Sequence, residues 1–336
     1  MDAEELHRRR AQRARDRRRR HIHRRIAGGA LLLVVLAAVA VAVSAAGGSS
    51  PPPAATGARA GRTHHAARRH RPHRATVTHR AHPGSTAAAL GPATGTPGTA
   101  SVPVLMYHVI APPPTGAPFP GLYVQPQEFA AQMQALKAAG WHPVTLDQLR
   151  AYWTRGAKLP AGKPIVITFD NGYHSQYAQA LPVLRKLGWV ADENIQLSGL
   201  PPSQGGLTTG EVRGLIDAGW ELDTQGISHA DLITLDPSEL HYQIVTARQR
   251  LQREYGVPVN WFCYPSGHYD ATVIDAVRAA GFVGSTTVVP GWAGPGSDMY
   301  RLPRLRVLSG TSPSALLAQI ASTQADPAPP GSYGGA

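Results

Sequence analysis

Between Val102 and Thr323 the sequence alternates short apolar runs with amphipathic stretches, and this alternation constrains the fold more than any other feature. Runs such as "VPVLMYH" and "PIVITFD" are typical of buried strands, whereas "QPQEFAAQMQALKAAG" has apolar residues at helical spacing before a terminating glycine. About 220 residues of this pattern hold some seven or eight β/α repeats. The pattern predicts an α/β fold, a parallel (β/α)7-8 barrel with its helices outside. An open doubly wound sheet is the alternative.

Polar residues stand where the predicted strands end, which is where either architecture places its chemistry. Asp170 is the clearest case, because it ends an apolar strand and is followed directly by Asn171 and Gly172. A charged residue in this position indicates catalysis or ligand contact, with capping of the next helix as the alternative. The other polar residues at or just beyond predicted strand ends are His108, Gln225, His229, Tyr264 and Ser266.

The chain has 33 Lys and Arg against 21 Asp and Glu, but the positive charge is concentrated near the N-terminus. Residues 1–100 contain 18 Arg and 4 acidic residues, a net charge of +14, whereas the remaining residues carry −2. Because the region expected to fold is nearly neutral, the basic composition does not indicate a nucleic-acid-binding protein.

Residues 26–47 form an uncharged apolar stretch whose length suits a helix that spans a bilayer. The preceding residues 1–25 are densely cationic, and the next charge after the stretch is Arg59. By the positive-inside rule, residues 1–25 stay in the cytoplasm and everything after residue 48 lies outside. We therefore expect a signal anchor in the cell membrane. A signal peptide cleaved near "AVSAA" is the alternative, although its hydrophobic region would be unusually long.

Residues 48–100 contain mostly Pro, Ala, Gly, Thr, Arg and His and almost no large apolar side chains. Such a segment cannot bury enough surface to offset the entropy of ordering, so we expect a disordered linker. The folded domain is expected to span residues 101–325, and residues 326–336 to form a flexible tail. The single cysteine, Cys263, excludes an internal disulfide, and its position within a strand indicates a small packed side chain.

Five motifs follow one another along the domain: "PVLMYHVI", "PIVITFDNGY", "AGWELDTQGISHADL", "WFCYPSGHYD" and "YRLPRLRV". Together they resemble the polysaccharide deacetylases of the NodB-homology type, carbohydrate esterase family 4, and the last one resembles the exopolysaccharide N-deacetylase branch. The resemblance covers most of residues 102–310. It implies a distorted (β/α) barrel that removes N- or O-acetyl groups from polymers such as peptidoglycan, chitin or poly-N-acetylglucosamine.

The resemblance also implies roles for individual residues. In the family, one Asp and two His hold a divalent metal such as Zn²⁺, which polarises the acetyl carbonyl and activates a bound water, while a neighbouring Asp acts as general base. Asp170 matches the base. The backbone N–H of Ser266, which follows Pro265, matches the group that stabilises the oxyanion. The residues expected to contact the sugar are His108, Tyr264 and Pro265.

The expected metal ligands depart from the family pattern. Asn171 stands where the ligand Asp is expected, Gln225 where the first His is expected, and His229 matches the second His. Zn²⁺ normally prefers His, Cys or carboxylate to an amide. Period-two alternation places Asp223 on the same strand face as Gln225. Asp223 therefore offers a replacement carboxylate for a harder, oxygen-preferring metal, together with Asp170 and His229.

Two further family residues are replaced. Cys263 stands where many members have an Arg, and no His lies between Arg304 and Leu308, where the family's general acid is expected. The resemblance therefore leaves the general acid unassigned.

Two functions follow from these observations. The first is a membrane-anchored, extracytoplasmic hydrolase that removes acetyl groups from cell-envelope polysaccharide, acting on carbon–nitrogen bonds other than peptide bonds. The second is a catalytically impaired NodB-fold module that binds glycan or acts as a scaffold, in which Asn171 and Gln225 hydrogen-bond to each other or to a sugar. The retained Asp170 and His229 favour the first function, and the two amides favour the second.

Overall fold

The computed structural model describes residues 95–200 and 205–335. The predicted basic segment 1–25, the apolar stretch 26–47 and most of the linker 48–100 lie outside these ranges. Within the described ranges, no helix combines the length and the apolar character needed to cross a membrane.

Nine strands form one sheet in the described residues, in the order β7-β6-β5-β4-β3-β1-β8, with β2 paired to β3 and β9 paired to β1. All pairings are parallel except that of β8 with β1. The strands are β1 (Val102–Tyr107), β2 (Trp141–Pro143), β3 (Lys163–Asn171), β4 (Asp192–Ile195), β5 (Glu221–Thr224), β6 (Trp261–Cys263), β7 (Gly284–Thr286), β8 (Trp292–Ala293) and β9 (Leu305–Arg306).

Helices connect most of the successive strands, as the alternating pattern predicts. Three of them begin at a capping box, in which a Thr or Asp side chain and a Gln or Glu three residues later satisfy each other's backbone N–H groups. The helices are α1 (Pro126–Ala138), α2 (Leu146–Arg155), α3 (Leu181–Leu187), α4 (Thr209–Asp217), α5 (Pro237–His241), α6 (Ala247–Tyr255), α7 (Ala271–Ala279) and α8 (Pro313–Ser322).

The pleat sorts the strand side chains into two layers, because successive residues of a strand point to opposite faces. On the outer face Tyr107 and Phe169 join the large apolar core that packs under the helices. On the inner face Val166 packs with Trp153 of α2 in a second, smaller cluster. Two residues further along the inner series of β3 comes Thr168, and then Asp170. The polar end of the inner face is therefore the C-terminal end of the strands.

The sheet is curled into a half-barrel whose last gap is spanned by the segment Leu302–Arg306. Its strand β9 pairs with β1, while Leu302 forms a single bridge to Thr286 of β7. The predicted α/β architecture, with a parallel sheet and helices outside, is confirmed. The sheet is not an evenly closed barrel, because one side of the closing segment is held by a single bridge rather than by a ladder. This segment carries Arg304 to the inner side.

Residues 326–335, expected from the sequence to form a free tail, lie against the loop after β6. Tyr333 exchanges two backbone hydrogen bonds of 2.8 Å with Tyr269. The hydroxyl of Tyr269 also donates to the carbonyl of Pro330 at 2.8 Å. The end of the chain therefore packs a few residues away from Ser266.

Candidate active site

Asp170, near the C-terminal end of β3, forms a buried ion pair with Arg304. Nη1 of Arg304 lies 2.8 Å from Oδ1 of Asp170, and Nη2 lies 2.9 Å from Oδ2. This arrangement matches a planar guanidinium to a planar carboxylate, and the two side chains are only 1% and 2% exposed. Arg304 also donates to Oγ1 of Thr168 and to the carbonyl of Thr287. These contacts fix the guanidinium, and with it the carboxylate, on the inner side of the sheet.

Three further side chains surround the carboxylate of Asp170. Asn194, its register partner on β4, donates from Nδ2 to Oδ1 at 2.9 Å. Cys263 on β6 places Sγ 3.5 Å from Oδ2. His108, which follows β1, has Nε2 3.9 Å from Oδ2. With Arg304 included, four side chains converge on this carboxylate. Two lie on β4 and β6, one follows β1 and one precedes β9.

Burial by itself would raise the pKa of Asp170, but Arg304 outweighs burial and the pKa is lowered to about 2. For His108 burial dominates and lowers the pKa to about 4, against the opposing effect of Asp170. Nδ1 of His108 is buried and has no hydrogen-bond partner among the described residues. Near pH 7 the site therefore presents an ionised carboxylate beside a neutral imidazole.

The guanidinium of Arg304 reaches the place where the family resemblance expects an Arg on β6. Its Nη2 donates to Sγ of Cys263 at 3.2 Å. The charge that an Arg at position 263 would supply is thus supplied from the segment before β9. The sulfur of Cys263 accepts this contact, so its role is polar as well as space-filling.

The two amides at the expected metal positions do not contact each other. Nδ2 of Asn171 donates to Oε1 of Gln196 at 2.8 Å, and Nε2 of Gln225 donates to Sγ of Cys263 at 3.1 Å. Of the two expected alternatives, a hydrogen bond between Asn171 and Gln225 is absent, and a hydrogen bond to a sugar stays a prediction. Oε1 of Gln225 is buried without a partner among the described residues, so it remains an acceptor that a ligand can use.

Three residues of the predicted site have a left-handed backbone. The angle φ is 79° at Asn171, 51° at His229 and 56° at Ser266, and no other non-glycine residue in the described ranges has a positive φ. Such conformations cost energy for an L-residue and cluster at functional sites. The strained backbone at these three strand ends lowers stability, and it places Asn171, His229 and Ser266 where the predicted site needs them.

His229 lies within electrostatic reach of the same carboxylate. Burial lowers the pKa of His229, and the charge of Asp170 opposes that effect. In turn, His229 is among the groups that lower the pKa of His108. The structure thus brings His108, Asp170 and His229 to one end of the sheet.

The residues at the family's metal positions do not fit Zn²⁺. Asn171 and Gln225 offer only neutral amide oxygens, which leaves His229 as the single imidazole. The nearby negative charge of Asp170 is already balanced by Arg304 at 2.8 Å. Zn²⁺ sites are built from His, Cys and carboxylate, and two amides with one imidazole do not make such a set.

Asp223 belongs to a different cluster from the one expected. It lies with Asp192 and Glu221, and one ligand oxygen from each of the three lies within 4.8 Å of the others. Within the part of the chain that the structure describes, no such group joins Asp223 to Asp170 and His229. The prediction that those three share a metal is therefore wrong.

Ser266 is exposed in a short turn, Pro265–Gly267, directly after β6. The ring of Tyr264 is buried beneath this turn, and its hydroxyl donates to the carbonyl of Tyr300 at 2.9 Å. Pro265 is buried as well. The expected contact of Tyr264 with a sugar is not supported, because its only side-chain polar atom is already bonded inside the core.

Sequence reasoning missed Arg304 and Asn194. The printed sequence does contain a signal for each of them. In "LPRLRV", period-two alternation places Arg304 on the face opposite Leu305, so a charge points inward from a short apolar strand. In "ADENIQL", three consecutive polar residues interrupt a strand that is expected to be buried.

Comparisons with known proteins agree with the motifs. The family model described as "Polysaccharide deacetylase" matches residues 157–285. YxkH of Bacillus subtilis (strain 168), provisionally named a polysaccharide deacetylase, is 30% identical over 224 residues, which are 66% of this chain and 77% of that protein. A poly-beta-1,6-N-acetyl-D-glucosamine N-deacetylase of Escherichia coli (strain K12) is 38% identical over 60 residues, which are 18% of this chain and 9% of that protein.

A solved structure extends the likeness to the whole fold. The Streptococcus pyogenes deacetylase PplD, in complex with acetate, superposes with a TM-score of 0.60 at 26% identity, covering 67% of this chain and 99% of that one. The length and identity of the match to YxkH show the family, and the motif residues occupy one end of the same kind of sheet. This chain therefore belongs to the polysaccharide deacetylase family, the NodB-homology proteins of carbohydrate esterase family 4.

Proposed function

We propose that this chain is an extracytoplasmic hydrolase that slowly removes acetyl groups from N-acetylated polysaccharide of the cell envelope. The observation that carries the proposal is the ionised Asp170, which Arg304 holds at the strand ends beside His108. The two polysaccharide deacetylase names among the relatives support the substrate class. Water would add to the acetyl carbon and the carbon–nitrogen bond would break, giving acetate and a free amine on the sugar.

In this proposal Asp170, the Ser266 turn and His108 each have a separate role. Asp170 accepts a hydrogen bond and then a proton from the attacking water, and this proton passes to the sugar nitrogen as the carbon–nitrogen bond breaks, so that the amine leaves uncharged. The backbone N–H of the exposed Ser266 turn donates to the acetyl oxygen, which gains negative charge as water adds. The neutral ring of His108, with Nε2 3.9 Å from Oδ2 of Asp170, adds no positive charge that would further weaken the carboxylate as a base. Turnover is expected to be slow, because a carboxylate with a pKa of about 2 is a weak base at neutral pH.

A second candidate is glycan binding without turnover, and the metal positions favour it. Asn171 and Gln225 replace charged or strongly coordinating groups by amides, and Oε1 of Gln225 has no partner among the described residues. Amide groups donate and accept hydrogen bonds with sugar hydroxyls. On this reading the site holds an acetylated sugar and releases it unchanged.

Replacing Asp170 by Asn is expected to lower acetate release by at least about 100-fold, the lower end of what general-base catalysis contributes. The measurement uses the full chain in detergent, oligomers of N-acetylglucosamine with β-1,6 or β-1,4 links, and detection of free acetate. Oligomer binding, followed by calorimetry, should be retained. The matched control is Glu193→Gln, which alters a buried carboxylate on the opposite face of β4.

Melting curves of both variants show whether a loss of activity follows from unfolding. If the native chain binds the oligomers and releases no acetate, the second candidate replaces the first. If it neither binds nor cleaves them, both candidates are wrong.

We further propose that residues 26–47 anchor the protein in the cell membrane with the folded domain outside. Protease added to intact spheroplasts should then remove residues 101–325 as a resistant fragment, because residues 48–100 would lie outside the membrane and their Arg side chains offer cleavage sites to trypsin. The fragment is detected with an antibody against the domain. Full protection that disappears only after detergent lysis would contradict this orientation.

A further inference from the structure

Two buried carboxylates and one half-buried carboxylate face one another on the inner side of β4 and β5. Asp192 and Asp223 are 0% exposed, and Glu221 stands next to them at the start of β5. One oxygen from each lies within 4.8 Å of the others. None of the three forms an ion pair with a Lys, Arg or His in the described residues. When ionised, the cluster therefore has no protein cation among the described residues to balance its negative charge, and either protons or a bound cation must neutralise it.

In each carboxylate one oxygen accepts a hydrogen bond and the other does not. Oδ1 of Asp192, Oε2 of Glu221 and Oδ1 of Asp223 each accept one backbone N–H, at 2.9, 3.0 and 2.8 Å. The donors are the N–H groups of Leu146, Asp147 and Trp261. The second oxygen of each carboxylate is buried and has no hydrogen-bond donor among the described residues. Three fixed side chains thus each leave one bare oxygen.

A fourth bare oxygen lies next to them and does not belong to an acidic residue. Asn194 is 0% exposed, and its Oδ1 has no partner within the described residues. Its Nδ2 donates to Asp170 on β3, and β4 runs between β3 and β5. The two polar atoms of an amide point in different directions, so Oδ1 points away from Asp170, and the strand on the other side of β4 is β5. There its register partner is Asp223.

A set of three carboxylate oxygens and one amide oxygen suits a hard divalent cation. Ca²⁺, Mg²⁺ and Mn²⁺ take oxygen ligands of these types, whereas Zn²⁺ prefers nitrogen and sulfur. We propose that Asp192, Asn194, Glu221 and Asp223 form a binding site for a hard divalent cation inside the half-barrel. This site is separate from the family's metal position, and its existence does not depend on the proposed hydrolysis.

The cation would join parts of the chain that are far apart in sequence. Asp192 and Glu221 hold the first turn of α2 through Leu146 and Asp147. Asn194 holds the carboxylate of Asp170 through its other amide atom. Cation binding is therefore expected to stabilise the inner face as a unit and to steady Asp170.

Protons are the competing occupants of this cluster. In the absence of a cation, burial raises the pKa of all three carboxyl groups, that of Glu221 to about 8. A cluster that holds only protons satisfies some of the same oxygens. The experiment must therefore distinguish a cation from a proton.

The test uses the full chain in detergent, stripped with EDTA, dialysed at pH 7 and titrated with Mn²⁺. The signal of free Mn²⁺ in electron paramagnetic resonance should decrease by an amount that corresponds to about one bound ion per chain. Added Ca²⁺ should displace the bound Mn²⁺ and restore the signal. The melting temperature should rise with added Mn²⁺ or Ca²⁺. Asp192→Asn and Glu221→Gln should each weaken Mn²⁺ binding at least tenfold. Glu193→Gln, which alters an equally buried carboxylate on the other face, should leave it unchanged.

Several outcomes would overturn the proposal. The native chain, which needs no substitution and no refolding, decides the main point: no bound Mn²⁺ and no melting shift at millimolar ion means that protons fill the cluster. Equal losses in Glu193→Gln and Asp192→Asn would mean that binding is nonspecific. If His229→Ala abolishes binding while Asp192→Asn does not, the ion sits at the family's metal position instead.

Discussion

Arg304→Met is expected to lower the free energy of unfolding by about 3–5 kcal/mol, the cost of leaving a buried charge without its partner. Asp170 would keep one hydrogen bond from Asn194 and lose both bonds from the guanidinium. Thr168 and the carbonyl of Thr287 would also lose a donor. The measurement is chemical denaturation of the full chain, followed by circular dichroism.

An exposed ion pair of the same type provides the control. Nη1 of Arg278 lies 2.8 Å from Oδ1 of Asp275, the same distance as in the pair of Arg304 with Asp170. The side chains of that pair are 52% and 73% exposed, so Arg278→Met should change stability by less than about 1 kcal/mol. Equal effects of the two substitutions would contradict the account of the buried pair.

The double variant Asp170→Asn/Arg304→Met separates charge from shape. Because it removes both charges, it should recover a large part of the loss caused by Arg304→Met alone.

The native chain should also lose stability on acidification. The folded pKa of Asp170, about 2, is below its unfolded value near 4. This contribution is therefore complete above about pH 4 and is lost as the pH falls toward 2. The Asp170→Asn variant should lack this part of the acid dependence.

Asn171→Asp is expected to strengthen Zn²⁺ binding by more than about tenfold, and Gln225→His to add a further increment. Even groups that only orient a metal ligand change affinity about 10–100-fold, so restoring a direct ligand should do at least as much. An Asp at position 171 tolerates the left-handed backbone that Asn171 adopts, with φ of 79°. The double variant should exceed either single one, because ligands of one site act together. Calorimetry with Zn²⁺ measures each affinity.

Gln249→His is the control, since it adds an imidazole on the exposed surface of α6, outside the family's ligand positions. Tight zinc binding by the unchanged chain would contradict our reading of the amide positions. If Asn171→Asp/Gln225→His does not bind Zn²⁺, the ion pair of Asp170 with Arg304 and the surrounding loops no longer leave room for the ion. Glycan binding without turnover would then be the better function.

The sequence predicted those parts of the site that depend on local pattern. The alternation of strands and helices gave the parallel sheet, and the end of an apolar strand located Asp170. Period-two alternation correctly placed Asp223 on the inner face, but it could not give its neighbours. Those depend on how far along each strand a residue stands and on the register between strands.

Arg304 could not have been predicted in the same way. It reaches Asp170 from 134 positions away, through a closing segment whose strand β9 is only two residues long. The prediction that Tyr264 contacts a sugar failed for a different reason. Its position in the motif is right, but the hydrogen bond to Tyr300 and the packing around the ring direct it into the core rather than into a groove. Period-two alternation places Arg304 on the inner face, but the partner that it meets there, like the packing around Tyr264, is set by tertiary contacts that the sequence pattern does not specify.

The position of Arg304 near the end of the domain has a consequence for how the protein is made. β1 emerges first from the ribosome, yet in the finished sheet it lies between β3 and β9, and β9 is made last. Until Arg304 has emerged, enclosing Asp170 would bury an unpaired charge. We therefore expect the growing chain to remain open along its inner face through most of its synthesis. A chain that terminates before residue 304 should be a substrate for quality-control proteases rather than a smaller, stable domain.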